Sequence, residues 1–527
     1  MSSRPKNLIT LFTFLLTPFL SVAQDNSQIG LDERINEAFK PIANWFESVI
    51  LHDFPFTASL FGTGIPTIIF LLVGGALFFT IYFGFVNIRH FSTAINTVRG
   101  KFDFLDKKDK KSTEGEVTHF QALATAVSGT VGNGNIAGVA MAIAIGGPGA
   151  TFWMILCGLL GMSTKFVECT LGVKYRDVGE DGTIYGGPMY YMTKGLKEIG
   201  YEKLGKFLAV VFAVLCIGAS FGGGNAAQSN QAAVQLANSF GMTGGNARTI
   251  IGLIMMVFVG IIIIGGIKRI ASVTEKIVPF MALMYILACL YIILTNITFV
   301  DDAFGMIISQ AFTPNAGLGG FLGVLVTGFR RAAFSNEAGA GSASIAHSAV
   351  KTKYPASEGL VALLEPFIDT VVICTLTALV IIIFNGDSTI FNYGGEGGVV
   401  MIDGVPAEGA SITAAAFSKY ISFSGPFLTI AVVLFAVSTM ISWSYYGLQS
   451  WIYIFGKSKA ADLTYKILFL VFIVIGAAGD MSSVWGFSDA MILGLVFPNM
   501  VGLFFLFPKV KEELLRYTDA IAEIVKK

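Results

Sequence analysis

Charge is what this chain has least of. Only 13% of its 527 residues are Asp, Glu, Lys or Arg, against 54% hydrophobic residues and a mean hydropathy of +0.70. A soluble protein of this length needs far more charge to cover its surface, so the composition excludes that class and points to a membrane protein. From Phe120 to Thr164 no residue is charged. A helix of that length would run for about 68 Å, roughly two bilayer crossings. Phe207–Ala247 and Tyr420–Gly456 are equally bare of charge. The 35 basic and 35 acidic residues cancel, which leaves nothing to attract a polyanion, so no nucleic-acid partner is expected. Cysteine is also scarce: Cys157, Cys169, Cys216, Cys289 and Cys374 all lie in or beside apolar spans, which argues against a disulfide framework or a thiolate metal site. HExxH, GxSxG and Cys/His metal spacings are missing, so an intramembrane enzyme is not expected, nor an organic cofactor.

What is present reads as a polytopic membrane protein. Arg4 and Lys6, the apolar run Leu8–Leu20 and the small-residue site Ser21-Val22-Ala23 resemble a signal peptide over residues 1–23. An uncleaved anchor is the alternative. Residues 24–58 are expected to be periplasmic and to hold a surface amphipathic helix over 31–56, with Ile35, Phe39, Ile42, Trp45, Phe46, Val49 and Ile50 at helical spacing. The transmembrane domain, 59–507, carries eleven expected spans: 59–88, 118–145, 148–172, 206–235, 249–267, 274–298, 318–349, 357–384, 425–455, 463–480 and 486–507. Residues 508–527 are a cytoplasmic tail. Lys and Arg cluster after spans one and three and in the tail, whereas the loops near 299–317 and 386–411 have none. The asymmetry puts the N-terminus outside and the C-terminus in the cytoplasm, fitting a bacterial inner membrane. Spans two to six (118–298) and seven to eleven (318–507) then form two five-helix repeats of opposite orientation.

Two polar, glycine-dense segments interrupt these spans: Ser128-Gly-Thr-Val-Gly-Asn-Gly-Asn135 and Phe334-Ser-Asn-Glu-Ala-Gly-Ala-Gly341. Such breaks survive in lipid only where the freed backbone groups face protein or a polar cavity, and paired breaks in opposed repeats are the pattern of secondary transporters. The half-helix starting near Asn135 would aim its N–H groups and positive dipole end at the break, which suits a carboxylate. The half-helix ending near Val131 would offer carbonyls to Na+ or an ammonium. Gly129, Gly132 and Gly134 allow a ligand to approach the backbone, though glycines also serve tight helix crossings. Ser335 adds a hydroxyl from the second break.

Elsewhere, Ser438 and Thr439 are adjacent hard oxygen donors suited to Na+, with back-bonding to their own helix as the alternative. Phe221-Gly-Gly-Gly-Asn225-Ala-Ala-Gln228-Ser-Asn-Gln231 gives span four a polar face, for the cavity or for interhelical hydrogen bonds. Lys165, Glu168, Arg330, Arg331, Glu337, Glu365 and Asp369 are intramembrane charges, which mark either function or structural ion pairs. Glu365 and Asp369 share a helix face by their spacing. His119 reads as an interfacial residue.

At these residues the chain resembles the sodium:alanine symporter family. The resemblance rests on His119-Phe-Gln-Ala-Leu, Thr130-Val-Gly-Asn-Gly-Asn-Ile-Ala-Gly-Val, Gly186-Gly-Pro-Met-Tyr-Tyr, Phe334-Ser-Asn-Glu-Ala-Gly, Glu365-Pro-Phe-Ile-Asp-Thr and Trp443-Ser-Tyr-Tyr-Gly. It implies an all-α integral membrane protein of about eleven transmembrane helices. The fold would be that of the leucine transporter, with two inverted five-helix repeats and one extra N-terminal helix. It further implies Na+-coupled import of alanine, glycine or a similar small neutral amino acid by alternating access. Main-chain amides over Gly132, Asn133, Gly134 and Asn135 would hold the substrate carboxylate. The carbonyls of Ser128 and Val131, with the hydroxyls of Ser438 and Thr439, would hold Na+. Phe334, Ser335 and Asn336 would border the substrate, and Gln228 and Trp443 would close the pocket. Asn133 stands where the family pattern usually has Thr. A proton-coupled or exchange mechanism is the alternative, but Ser438 and Thr439 supply no titratable group.

Overall fold

A computed structural model of the chain describes residues 30–54, 57, 65–107, 114–242, 244–312, 320–386 and 388–525. The expected signal peptide lies outside the described residues. Helices dominate, with two short antiparallel hairpins among the described residues, one pairing 177–178 with 184–185 and the other 400–402 with 405–407. Among the described residues, seven helices are long and apolar enough to cross a membrane.

Helices occupy each of the eleven expected positions. After α1 (Leu31–Ile50) come α2 (Thr67–Tyr82), the interrupted pair α3 (His119–Thr130) and α4 (Val139–Gly146), and α5 (Gly149–Lys174). Next are α6 (Glu202–Phe221) and α7 (Ala227–Phe240), joined by a wide π turn over Gly222–Ala226, then α8 (Ala247–Ile263) and α9 (Gly266–Thr295). The second interrupted pair is α10 (Gly320–Asn336) and α11 (Ala343–His347). Helix α12 (Pro355–Ala362) leads through a π segment, Phe367–Cys374, into α13 (Thr375–Asn385). The last three are α14 (Ser424–Phe455), α15 (Lys459–Ala478) and α16 (Met481–Val525).

Local chemistry explains where the broken helices start and stop. Thr118 caps α3: its hydroxyl accepts from the Gln121 N–H, and the Gln121 side chain accepts from the Thr118 N–H. At the other end Val131 turns out of the helix, at φ −75° and ψ 89°. The second break turns through Glu337, Gly339 and Gly341, with φ of +55°, +95° and +84°. Gly341 is required twice over, because a Cβ there would also lie 2.8 Å from the Asn499 side chain. Glu337 adopts a conformation that non-glycine residues rarely do, and its side chain is held by Ser342 and by the Trp443 indole.

Helix α1 is docked rather than free on the surface. Phe39 and Phe46 pack edge-on against Phe487 of α16 with centroids 5.3 and 5.6 Å apart. Asn36 exchanges hydrogen bonds with Asp480, and Asp32 accepts from the N–H of Thr249 at 3.1 Å. Trp45 and Val49 stay exposed on the opposite side.

Candidate functional site

The two breaks meet in the buried interior around Asp369. The Asn135 amide donates to Asp369 Oδ1 at 2.7 Å, and the Ser335 hydroxyl donates to Oδ2 at 2.8 Å. Thr370 donates to the same Oδ2 at 2.7 Å. Asn135 also approaches Cys374 Sγ at 3.3 Å. One carboxylate therefore binds a residue from each break, with none of these side chains exposed to solvent. Glu365 and Asp369 have separate partners: Glu365 pairs with Lys165 at 3.0 Å. The π segment widens the helix between the two carboxylates, so regular i, i+4 geometry does not apply across it.

The backbone of the first break is already engaged. The Gly132 N–H donates to Asn135 Oδ1 at 2.9 Å, and the Asn133 N–H donates to Gln228 Oε1 at 2.9 Å. The Asn133 side chain returns to the Gln228 carbonyl at 3.1 Å. Gln228 is thus a direct partner of the unwound strand, aimed by the π turn of span four. The Val131 carbonyl receives no hydrogen bond among the described residues.

The expected cation ligands also converge, with one asymmetry. The Thr439 hydroxyl donates to the Ser128 carbonyl at 3.0 Å, and the Ser128 hydroxyl donates to the Ser438 carbonyl at 2.7 Å. The Ser438 hydroxyl turns back to the Phe435 carbonyl at 3.0 Å and lies 3.4 Å from Met281 Sδ. A Cβ at Gly132 would sit 2.4 Å from Thr439 Oγ1, so break and hydroxyl are in direct apposition.

Around this centre the remaining expected residues divide. Phe334 lies beside Gly134, where a Cβ would be 3.5 Å from its ring, and stacks on Trp485 at 4.9 Å. Arg331 covers both rings and pairs with Asp489, which also takes Arg330 at 2.8 Å. Asn336 turns within its own break, donating to Thr370 and accepting from the Ala338 N–H at 3.0 Å. Trp443 presses on Gly224, where a Cβ would be 2.2 Å from the ring, and donates to Glu337 at 2.9 Å. His119, at the start of α3, is largely buried and bonded to Glu358. Glu358 itself was missed, although it lies on the same helix as Glu365 and is an intramembrane charge of the kind that draws attention.

The glycine-rich segment near 386–409 covers the first broken helix. The N–H of Gly394 donates to the Ala144 carbonyl at 2.7 Å. In the helix that follows, Thr413 donates to the Ile136 carbonyl at 3.0 Å.

An all-α, multi-pass membrane protein whose two broken helices meet at buried polar groups is a membrane transporter. A family model described as the sodium:alanine symporter family matches residues 54–527, and the chain belongs to that family. It is 41% identical over 463 residues to the sodium/alanine symporter AgcS of Methanococcus maripaludis, covering 88% of this chain and 95% of the relative. It is 34% identical over 454 residues to a Bacillus subtilis protein named "Probable sodium/glutamine symporter GlnT", covering 86% and 87% of the two. Among solved structures, MhsT in complex with L-phenylalanine aligns with a TM-score of 0.48 and 15% identity over 75% of this chain and 99% of that one.

Proposed function

We propose that the protein imports alanine, glycine or a similar small neutral amino acid together with Na+ by alternating access. The observation that carries this reading is the buried convergence of both breaks on Asp369, with the Thr439 hydroxyl held against the Ser128 carbonyl beside the first break. Each oxygen now bonded to the Gly132 and Asn133 amides stands where a substrate carboxylate oxygen would bind, so the ligand replaces Asn135 Oδ1 and Gln228 Oε1 one for one. The Gly134 and Asn135 amides, at the start of the second half-helix, add their dipole. The Asp369 carboxylate and the Ser335 hydroxyl offer acceptors to the ammonium. Phe334 and Asn336 border the substrate on one side, and Trp443 limits its side chain on the other.

Na+ is the coupled ion in this reading. Ser128 and Val131 supply carbonyl oxygens, and Thr439 and Ser438 supply hydroxyls. The unpaired Val131 carbonyl supports this assignment, since a buried carbonyl without a donor is costly unless a cation meets it. The N-terminus outside, the C-terminus in the cytoplasm, and the two repeats 118–298 and 318–507 complete the proposal.

Counterflow in proteoliposomes tests it, with a panel of amino acids in Na+ or K+ buffer. Alanine and glycine are expected to exchange in Na+ and not in K+. Equal alanine exchange in both buffers refutes Na+ coupling, and preference for leucine or lysine refutes the pocket.

A further inference from the structure

At one end of the bundle a single carboxylate ties the two broken helices together. Glu358 of α12 is fully buried. One of its oxygens meets Nδ1 of His119, the first residue of α3. The other meets Nδ1 of His347, the last residue of α11, at 2.6 Å. The second ring nitrogen of His347 lies 3.6 Å from Glu365 Oε2, and Glu365 Oε1 holds Lys165 at 3.0 Å.

Donor and acceptor rules constrain the protonation of this arrangement. An ionised carboxylate only accepts, so each imidazole nitrogen hydrogen-bonded to one must carry a proton. His347 has a carboxylate oxygen at both nitrogens. Nε2 and Glu365 Oε2, 3.6 Å apart, have no hydrogen-bond partner among the described residues; a neutral ring would turn a lone pair toward Glu365, whereas a doubly protonated ring forms an ion pair there. The protonated ring and Lys165 then offset Glu358 and Glu365, while Glu168 is held by Gly339 and Asn499 and Glu337 by Ser342 and Trp443. His119 retains a trace of exposure, 8%, and connects the cluster to solvent at the end where the basic loops lie.

We propose that His347 is a proton-binding site of the transport cycle. Its second proton, on Nε2, faces Glu365 while α3 and α11 are clasped together. When the two broken helices part at this end to release substrate, the ring leaves its carboxylates and the proton passes to solvent on that side. Reclosure takes a proton back from the same side, so no net proton crosses the membrane. The charged groups facing the cluster are Lys165 and Glu168 of α5, Glu337 of the second break, Asp103 and Asp106 ahead of α3, and Arg176 beyond α5. Their protonation must stay the same through the step for His347 to dominate the profile. The inference rests on the transport reading above.

Alanine counterflow in proteoliposomes with equal Na+ on both faces gives the test, varying pH on each side in turn. The rate is expected to fall at least about threefold as one side is raised from about pH 6.5 to about 8.5, across the imidazole range, and to ignore the other side. The double variant His347→Gln/Glu358→Gln removes one charge of each sign and keeps the hydrogen-bonding groups; its profile is expected to be flat. Should it not reach the membrane, His347→Gln alone is read in the same way. A brisk wild-type rate that ignores pH on both sides, or a variant keeping the wild-type profile, overturns this proposal alone. No alanine counterflow at any pH overturns the transport reading with it.

Discussion

Replacing Gly132 with Ala is expected to weaken alanine and Na+ binding severely, whereas the same change at Gly134 is expected to be mild. A methyl at Gly132 would stand 2.4 Å from Thr439 Oγ1, 3.0 Å from Gln228 Oε1 and 3.3 Å from Thr439 Cβ. No contact so short is sustainable, so Thr439 must swing away and lose its 3.0 Å bond to the Ser128 carbonyl. Overpacking of this kind costs about 1–3 kcal/mol, and the lost hydrogen bond about 1 kcal/mol more. Tenfold in affinity corresponds to about 1.4 kcal/mol, so with that cost borne by the liganded centre, where Thr439 has to meet Na+, alanine should bind roughly 30- to 700-fold more weakly. At Gly134 the nearest atom to a new methyl is a Phe334 ring carbon at 3.5 Å, an ordinary contact. A larger side chain such as Leu would overrun that ring and is expected to abolish uptake in folded, inserted protein. Calorimetric titration of alanine at several Na+ concentrations measures both alanine variants. Gly132→Ala within threefold of wild type, or Gly134→Ala as damaged as Gly132→Ala, would refute the argument.

Thr439→Val should raise the Na+ concentration for half-maximal uptake more than Ser438→Ala does, because Thr439 faces the Ser128 carbonyl while Ser438 back-bonds to its own helix. By linkage, alanine affinity at fixed Na+ falls by the same coupling free energy, and equal effects of the two variants would count against the asymmetry. Lys165→Met leaves Glu365 buried without its ion partner and should cost about 3–5 kcal/mol, read as a lower thermal midpoint, with Lys165→Met/Glu365→Met recovering much of the loss. Serine should compete weakly with alanine and leucine should not, since Trp443 is pinned between Gly224 and Glu337. Strong competition by leucine would contradict that.

Much of the architecture was legible in the sequence because lipid imposes simple rules. Uncharged runs locate helices, and glycine with asparagine inside them locates breaks; both breaks fall where the residues say they should. The pairings across the bundle were not legible. Nothing local in Gln228 says that it reaches the Asn133 amide, and nothing in Asp369 says that Asn135 and Ser335 converge on it. Spacing put Glu365 and Asp369 on one helix face, but not which partners each would find: Asp369 sits within the π segment that starts at Phe367 and takes Asn135 and Ser335, while Glu365 takes Lys165. His119 looked peripheral because its helix begins there, and only the buried Glu358 opposite explains its burial. Helix α1 was legible as amphipathic, but its apolar stripe says only that something covers it, not that Phe487 does. In each case periodicity fixes the element, while the partner comes from a distant part of the chain.

All five cysteines are free and buried, and one of them, Cys374, sits 3.3 Å from the Asn135 amide and 3.4 Å from the Ser335 hydroxyl. Cys157, Cys169, Cys216 and Cys289 therefore leave a quiet background for thiol chemistry, against which Cys374 stands beside the centre. The chain also carries its own reporter, because a small membrane-permeant alkylating reagent can reach Cys374 only while the centre is open. Protection of that thiol by Na+ and alanine, followed by mass spectrometry of its peptide, would let occupancy of the centre be read without moving any substrate across a membrane.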